Sequence, residues 1–218
     1  MESVVLGGLG VAVLGGAALW LFSKSVDPTA VELQKGTQSG TVPFSSNVVL
    51  PRSFNEAEGA TFSFEGWFEI HDYTTIGYGK RRMIFSRGDC PGLYIDSTSN
   101  SIIVAVATYG ADESILIENI PAQKWIHFAI VVTQYTVDVY INGILRQHHT
   151  LTQLPKQELA PVKIAETSFD GQVGGLTYYP RSLSAAEIAM DAAGSPPPSI
   201  KKEPASGRYL DLTWYTGR

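Results

Sequence analysis

A single cysteine, Cys90, stands in the 218 residues, so no disulfide can close within the chain. Secreted sandwich domains often carry at least one bridge, and its absence points to a reducing compartment. Asn-x-Ser/Thr is missing too, because Asn47, Asn55, Asn100, Asn119 and Asn142 all lack a hydroxyl residue two positions on. Basic residues are in the minority, 16 Lys and Arg against 21 Asp and Glu, for a formal net charge of -5. A dedicated nucleic-acid binder needs a basic face to displace counterions from phosphates, so no nucleic-acid partner is expected. The four histidines, His71, His127, His148 and His149, show no zinc-ligand spacing with cysteine. Cys90 beside Pro91 carries no signature of an activated nucleophile, so no catalytic residue and no metal ligand is assigned.

Charge is also absent from Val4 to Phe22. As a helix this run is about 28 Å long, close to the roughly 30 Å hydrocarbon core of a bilayer. It is apolar on every side, which the surface of a small water-soluble domain does not allow. Its glycines weaken a soluble helix but are tolerated in a membrane. Gly8, Ala12 and Gly16 fall at i, i+4 and i+8, a stripe of small residues on which another helix can pack. A cleaved signal peptide would open with positive residues, whereas the only early side-chain charge is Glu2. Residues 1–22 therefore read as a single-pass transmembrane anchor with the lipid bilayer as partner. Lys24 and Lys35 follow the run and no Lys or Arg precedes it, which places the large domain on the cytosolic side.

Residues 23–46, rich in Ser, Thr and Gly with Pro28 and Pro43, read as a tether. From Asn47 short alternating runs separated by turn residues predict an all-β antiparallel sandwich. Strands are expected at Thr61–His71, Met83–Ser86, Gly92–Asp96, Ser101–Ala107, Ser114–Glu118, Trp125–Thr133, Val137–Ile141, Ile144–His148, Val162–Ala165 and Val173–Tyr179. Asn142-Gly143 supplies a two-residue hairpin turn. The alternation puts Phe64, Phe68, Trp125, Phe128, Val139 and Ile141 in the core. Ser184-Ala185-Ala186-Glu187 is a capping box that starts one short helix, ending near Ala192 before Gly194 and Pro196-Pro197-Pro198. Residues 195–218 then form a Pro-rich linker and a docking arm, in which Leu210, Leu212 and Trp214 alternate along one edge. Lys80, Arg81 and Arg82 form the densest basic cluster, a candidate contact loop for lipid headgroups or an acidic partner. Arg87-Gly88-Asp89 spells an integrin-type tripeptide, although Gly and Asp are also what a β-turn between strands uses.

Five segments resemble, in order, the laminin-G-like, concanavalin A-like jelly rolls. Phe62-Ser63-Phe64-Glu65-Gly66-Trp67-Phe68 looks like their opening core strand, and Ile84-Phe85-Ser86-Arg87-Gly88-Asp89 like the next strand and turn. Lys124-Trp125-Ile126-His127-Phe128 and Asp138-Val139-Tyr140-Ile141-Asn142-Gly143 resemble a central strand and a hairpin. Phe169-Asp170-Gly171-Gln172-Val173, with Tyr179-Pro180-Arg181-Ser182-Leu183-Ser184-Ala185-Ala186-Glu187-Ile188, resembles the closing strand and its helix. The resemblance implies a jelly-roll domain over residues 47–194 and a range of roles: sugar binding, adhesion or scaffolding. Family members often carry an acidic pair where Gly174 and Gly175 stand here, and related glucan hydrolases carry an E-x-D-x-E run that this chain lacks. Calcium is the one cofactor that the rim carboxylates Asp89, Asp96, Asp112 and Asp170 suggest, but their spacing matches no calcium loop, and no cofactor is assigned.

The function expected is that of a non-enzymatic structural protein that docks onto protein partners in a membrane-associated assembly. A minor component of a membrane-containing virion is the version that analogy favours. A membrane-anchored lectin that binds carbohydrate is the alternative.

Overall fold

The computed structural model describes residues 27–53 and 59–200. The chain divides into two compact units, Met1–Ala30 and Val31–Arg218. The described part of the first is a turn in which Asp27 Oδ1 accepts from the Thr29 N–H at 2.8 Å and its hydroxyl at 2.6 Å. Among the described residues no helix is long and apolar enough to cross a membrane. The run Val4–Phe22, with Gly8, Ala12 and Gly16, lies outside them, as do Leu210, Leu212 and Trp214.

The second unit is a sandwich of two six-stranded sheets. Its strands are β1 (Val31–Ser39), β2 (Phe44–Ser46), β3 (Phe62–Asp72), β4 (Arg82–Ser86), β5 (Gly92–Ile95) and β6 (Ile102–Val106). There follow β7 (Glu113–Ile117), β8 (Trp125–Val132), β9 (Thr136–Ile141), β10 (Ile144–Thr150), β11 (Val162–Ile164) and β12 (Asp170–Tyr179), then helix α1 (Ala185–Ala192). Sheet A runs β1-β12-β3-β8-β9-β10 and sheet B runs β2-β11-β4-β5-β6-β7. Every pairing is antiparallel. Strands late in the sequence insert between early ones, as β12 does between β1 and β3, which is the jelly-roll arrangement.

Period-two alternation builds the core. Phe62, Phe64, Phe68 and Ile70 of β3 meet Ile126, Phe128, Ile130 and Val132 of β8 from within sheet A. Ile84, Phe85, Leu93, Ile95, Ile102, Val104 and Val106 close it from sheet B. Phe64 lies at the centre, 5.5 Å from the Phe85 ring and 5.0 Å from Tyr178 by centroid. Each such ring taken from water contributes about 1.5–3 kcal/mol. Cys90 is buried in the same core, and burial pushes its thiol up to about 12. At the β9–β10 turn Asn142 and Gly143 take φ of 51° and 78°, the doubly positive turn that the dipeptide predicts.

Two expectations need correction. The stretch 23–46 is not simply a tether, since β1 and β2 come from it and pair with β12 and β11. The jelly roll thus begins at β1, before Asn47. Trp125 is the second correction. In β8 the inward residues are Ile126, Phe128, Ile130 and Val132, so Trp125 shares the outward parity of His127 and is only half-buried.

Candidate functional site

The outward residues of β3 are Ser63, Glu65, Trp67, Glu69 and His71, a polar row on the central part of sheet A. Strand register sets their neighbours. Gln172 of β12, Glu69 and Trp125 of β8 form one cross-strand row; Gly174, Trp67 and His127 form the next. β1 extends these rows with Ser39 and Thr37.

Within this face the polar groups engage one another. Tyr179 Oη donates to Glu65 Oε1 at 2.5 Å, and His127 Nε2 lies 3.9 Å from Glu65 Oε2. The Trp67 ring meets His127 edge-on, 5.0 Å between centroids. Gln172 Nε2 donates to Glu69 Oε2 at 2.5 Å, and the same oxygen lies 3.6 Å from His71 Nε2. His71 Nδ1 in turn sits 3.2 Å from Asp170 Oδ1. Glu65 and Glu69 share a strand face four residues apart, as two carboxylates of a hydrolase would, but Trp67 stands between them where E-x-D-x-E carries an acid. Glu65 is 6% exposed and His127 1%, so neither presents a free edge to a sugar.

Two pieces of chain cover the face. Leaving β12, the backbone folds over Ser63, whose hydroxyl donates to Arg181 O at 2.8 Å and accepts from the Leu183 N–H at 3.0 Å. α1 follows, with both halves of the capping box formed at Ser184 and Glu187. Arg181 Nη2 donates to Glu187 Oε1 at 2.8 Å, and that guanidinium, with help from Ser184, holds the Glu187 carboxyl down at about 2. The helix packs against β8 and β10 and buries Ile188. Beyond it, residues 195–200 cross the face as an extended strap, with contacts to Thr37, Trp125, Gln172 and Gly174. Part of the segment expected as a Pro-rich linker is thus seated on sheet A.

The other candidate residues do not join this site. Lys80 and Arg81 are exposed, and Arg81 stands over the Tyr94 ring at 4.1 Å. Arg82 is not a contact residue. It is 1% exposed and donates to Tyr73 O at 2.6 Å, Ile76 O at 3.2 Å and Asp96 O at 2.7 Å, fastening the loop between β3 and β4. Arg87 is buried with its guanidinium over Tyr178, and the half-buried Asp89 accepts from Ser86 and Tyr94, so the two charged groups of the Arg-Gly-Asp tripeptide are engaged within the domain. The carboxylates of Asp89, Asp96 and Asp170 are each taken up locally, by Tyr94, Ser99 and His71. Among the described residues no group of three or more His, Cys, Asp or Glu converges as a metal site. Sequence reasoning missed the groove under the strap. Its only sequence signal was Gly174-Gly175 in place of side chains on the closing strand.

Comparison with known proteins agrees with this architecture. The family described as the concanavalin A-like lectin/glucanases superfamily matches residues 39–189. No curated protein matches the chain. Among solved structures, the receptor binding domain of botulinum neurotoxin D superposes with a TM-score of 0.54 at 16% identity, over 72% of this chain and 43% of that one. The type G receptor binding domain gives 0.54 at 16%, over 78% and 51%. The serotype D ligand binding domain in complex with N-acetylneuraminic acid gives 0.54 at 13%, over 79% and 43%. At such identities the likeness is one of fold, and the chain spans about half or less of these structures' length.

Proposed function

The chain belongs to the concanavalin A-like lectin/glucanases superfamily, and from that premise we propose that it is a non-enzymatic interaction domain that binds protein segments on the outer face of sheet A. One observation carries the reading: that face already holds an extended segment of polypeptide, residues 196–200, through hydrogen bonds from three strands. Its carboxylates are engaged with Tyr179, Gln172 and histidines, which leaves no acid and base pair poised on a glycosidic bond. The uncharged run Val4–Phe22 supports a bilayer tether for this domain, so its partners are membrane-associated proteins.

The test is titration of the intact chain in detergent with neutral and sialylated oligosaccharides, read by calorimetry. No saturable heat is expected, and no glucan hydrolysis. Saturable binding that is lost on Trp67→Ala would transfer the face to a carbohydrate and overturn the reading. That second reading has its own support, because one structural neighbour is complexed with N-acetylneuraminic acid and Tyr109 and Tyr135 are exposed on this sandwich.

A further inference from the structure

The strap over sheet A is held by groups that are specific and few. Thr37 Oγ1 donates to Pro198 O at 2.6 Å, Trp125 Nε1 donates to Ser199 Oγ at 2.9 Å, and the Ile200 N–H donates to Gln172 Oε1 at 2.9 Å. The three partners stand on β1, β8 and β12. Between them Gly174 forms a floor without a side chain. A Cβ there would meet Pro197 Cγ at 2.5 Å and Gly36 O at 2.6 Å, so only glycine admits the proline ring. In register, Gly174 is flanked by Thr37 on one strand and Trp67 on the other. Three consecutive prolines hold the strap extended before it docks, which reduces the entropy lost on binding. An aromatic-lined groove with an indole N–H donor is how such segments are recognised in general.

The strap is shallowly seated, for Pro197 is half-buried while Ser195, Pro196, Pro198, Ser199 and Ile200 are exposed. It starts directly after the helix, whose last hydrogen bond runs from the Gly194 N–H to Asp191 O at 3.0 Å. Lifting it therefore breaks no helical turn, and it bares the buried polar side chain of Gln172. We propose that the groove is an exchange site, which takes residues 196–200 of a second copy of this chain in place of its own. The two copies then clasp each other through reciprocal straps. The inference rests on reading this face as protein-binding. The second copy is the occupant because its segment carries the same proline for Gly174, the same carbonyl for Thr37, the same hydroxyl for Trp125 and the same amide for Gln172. Exchange of an identical element is a low-cost route to a closed two-fold dimer. In one isolated copy the strap competes with itself at high effective concentration, so exchange shows only when that competition is removed.

Two full-length variants in detergent remove it. Thr37→Val with Trp125→Phe breaks the groove and leaves the strap intact. Pro197→Gly with Pro198→Gly spoils the strap and leaves the groove intact, and Ile200→Pro, which removes the N–H given to Gln172, is a second strap variant should the first fold poorly. With an affinity tag on the strap variant, the untagged groove variant should be retained roughly tenfold more than in a mixture of tagged and untagged groove variants. That control cancels association through the shared amino-terminal segment. Excess synthetic peptide of residues 194–200 should release the retained copy. Retention no greater than the control, or retention that the peptide does not reverse, overturns the exchange. If an oligosaccharide releases the strap instead, the reading of the face as protein-binding fails as well, and the two failures are told apart.

Discussion

The two outer faces of the sandwich solve the same problem in opposite ways. Sheet A turns outward a row of acids, histidines, a glutamine and two tryptophans, and the chain returns after β12 to lay a helix and a strap over them. Sheet B turns outward a smaller cluster, Met83, Tyr94 and Ala105 with Ile103 packed beside it, and Arg81 stands over its tyrosine. Leu116 at the β7 edge stays half exposed. A polar face buried beneath chain needs partners for each donor and acceptor, because an unmade hydrogen bond is costly there. An apolar cluster needs only contact. The difference teaches that the outer packing of sheet A is specified group by group, and that the outer packing of sheet B is permissive.

The largest effect should ignore the contrast. Phe64→Ala empties the space between the sheets and should cost about 3–5 kcal/mol in denaturant unfolding, with both sheets lost in one transition. Two resolved transitions would mean that the sheets are energetically separate. Next, Arg82→Met strips three carbonyls at the sheet B end of their donor. It should cost about 1–3 kcal/mol and open residues 73–80 to protease, with the cover of sheet A unchanged by hydrogen exchange.

Ser184→Ala strikes only the cover of sheet A. Loss of the capping box should cost about 1 kcal/mol, visible as faster amide exchange in α1. Acid sharpens this. The Glu187 carboxyl is depressed from 4.5 to about 2 in the fold, so its stabilisation is complete above about 4.5 and is lost as pH falls toward 2. The helix should therefore loosen in that window, and Glu187→Gln should abolish this acid dependence of its amide exchange. Smallest of all, Leu116→Ser on sheet B should change stability by no more than about 0.5 kcal/mol, as the melting temperature will show.

Much of the fold was legible because it is local. The alternation in β3, the Asn142-Gly143 turn and the Ser184–Glu187 capping box each act within a few residues, and each appears where the sequence placed it. β1 reads as tether in the sequence because an edge strand buries little: in Val31–Ser39 only Leu33 and Gln34 are buried, and two register shifts blur the alternation. The alternation argument puts both Trp125 and Phe128 inward, although three residues apart they face opposite sides of β8, and the Trp125 indole N–H finds Ser199, 74 residues away. Arg82 resembled its neighbours Lys80 and Arg81 until the loop carbonyls closed around it. The candidate site was the least legible part, since its groove depends on β1, β8, β12 and the strap meeting in space. Gly174 and Gly175 marked the place, but only as an absence.

Cys90 has a further use that follows from its position. It is the chain's one thiol, 1% exposed and held protonated by burial. A thiol-reactive reagent added to the untouched protein therefore meets no target until the sandwich opens. With a sluggish reagent, the labelling rate counts the fraction of molecules open at equilibrium; with a fast one, it counts opening events. The chain thus carries its own clock, and no dye or engineered cysteine is needed to time its breathing.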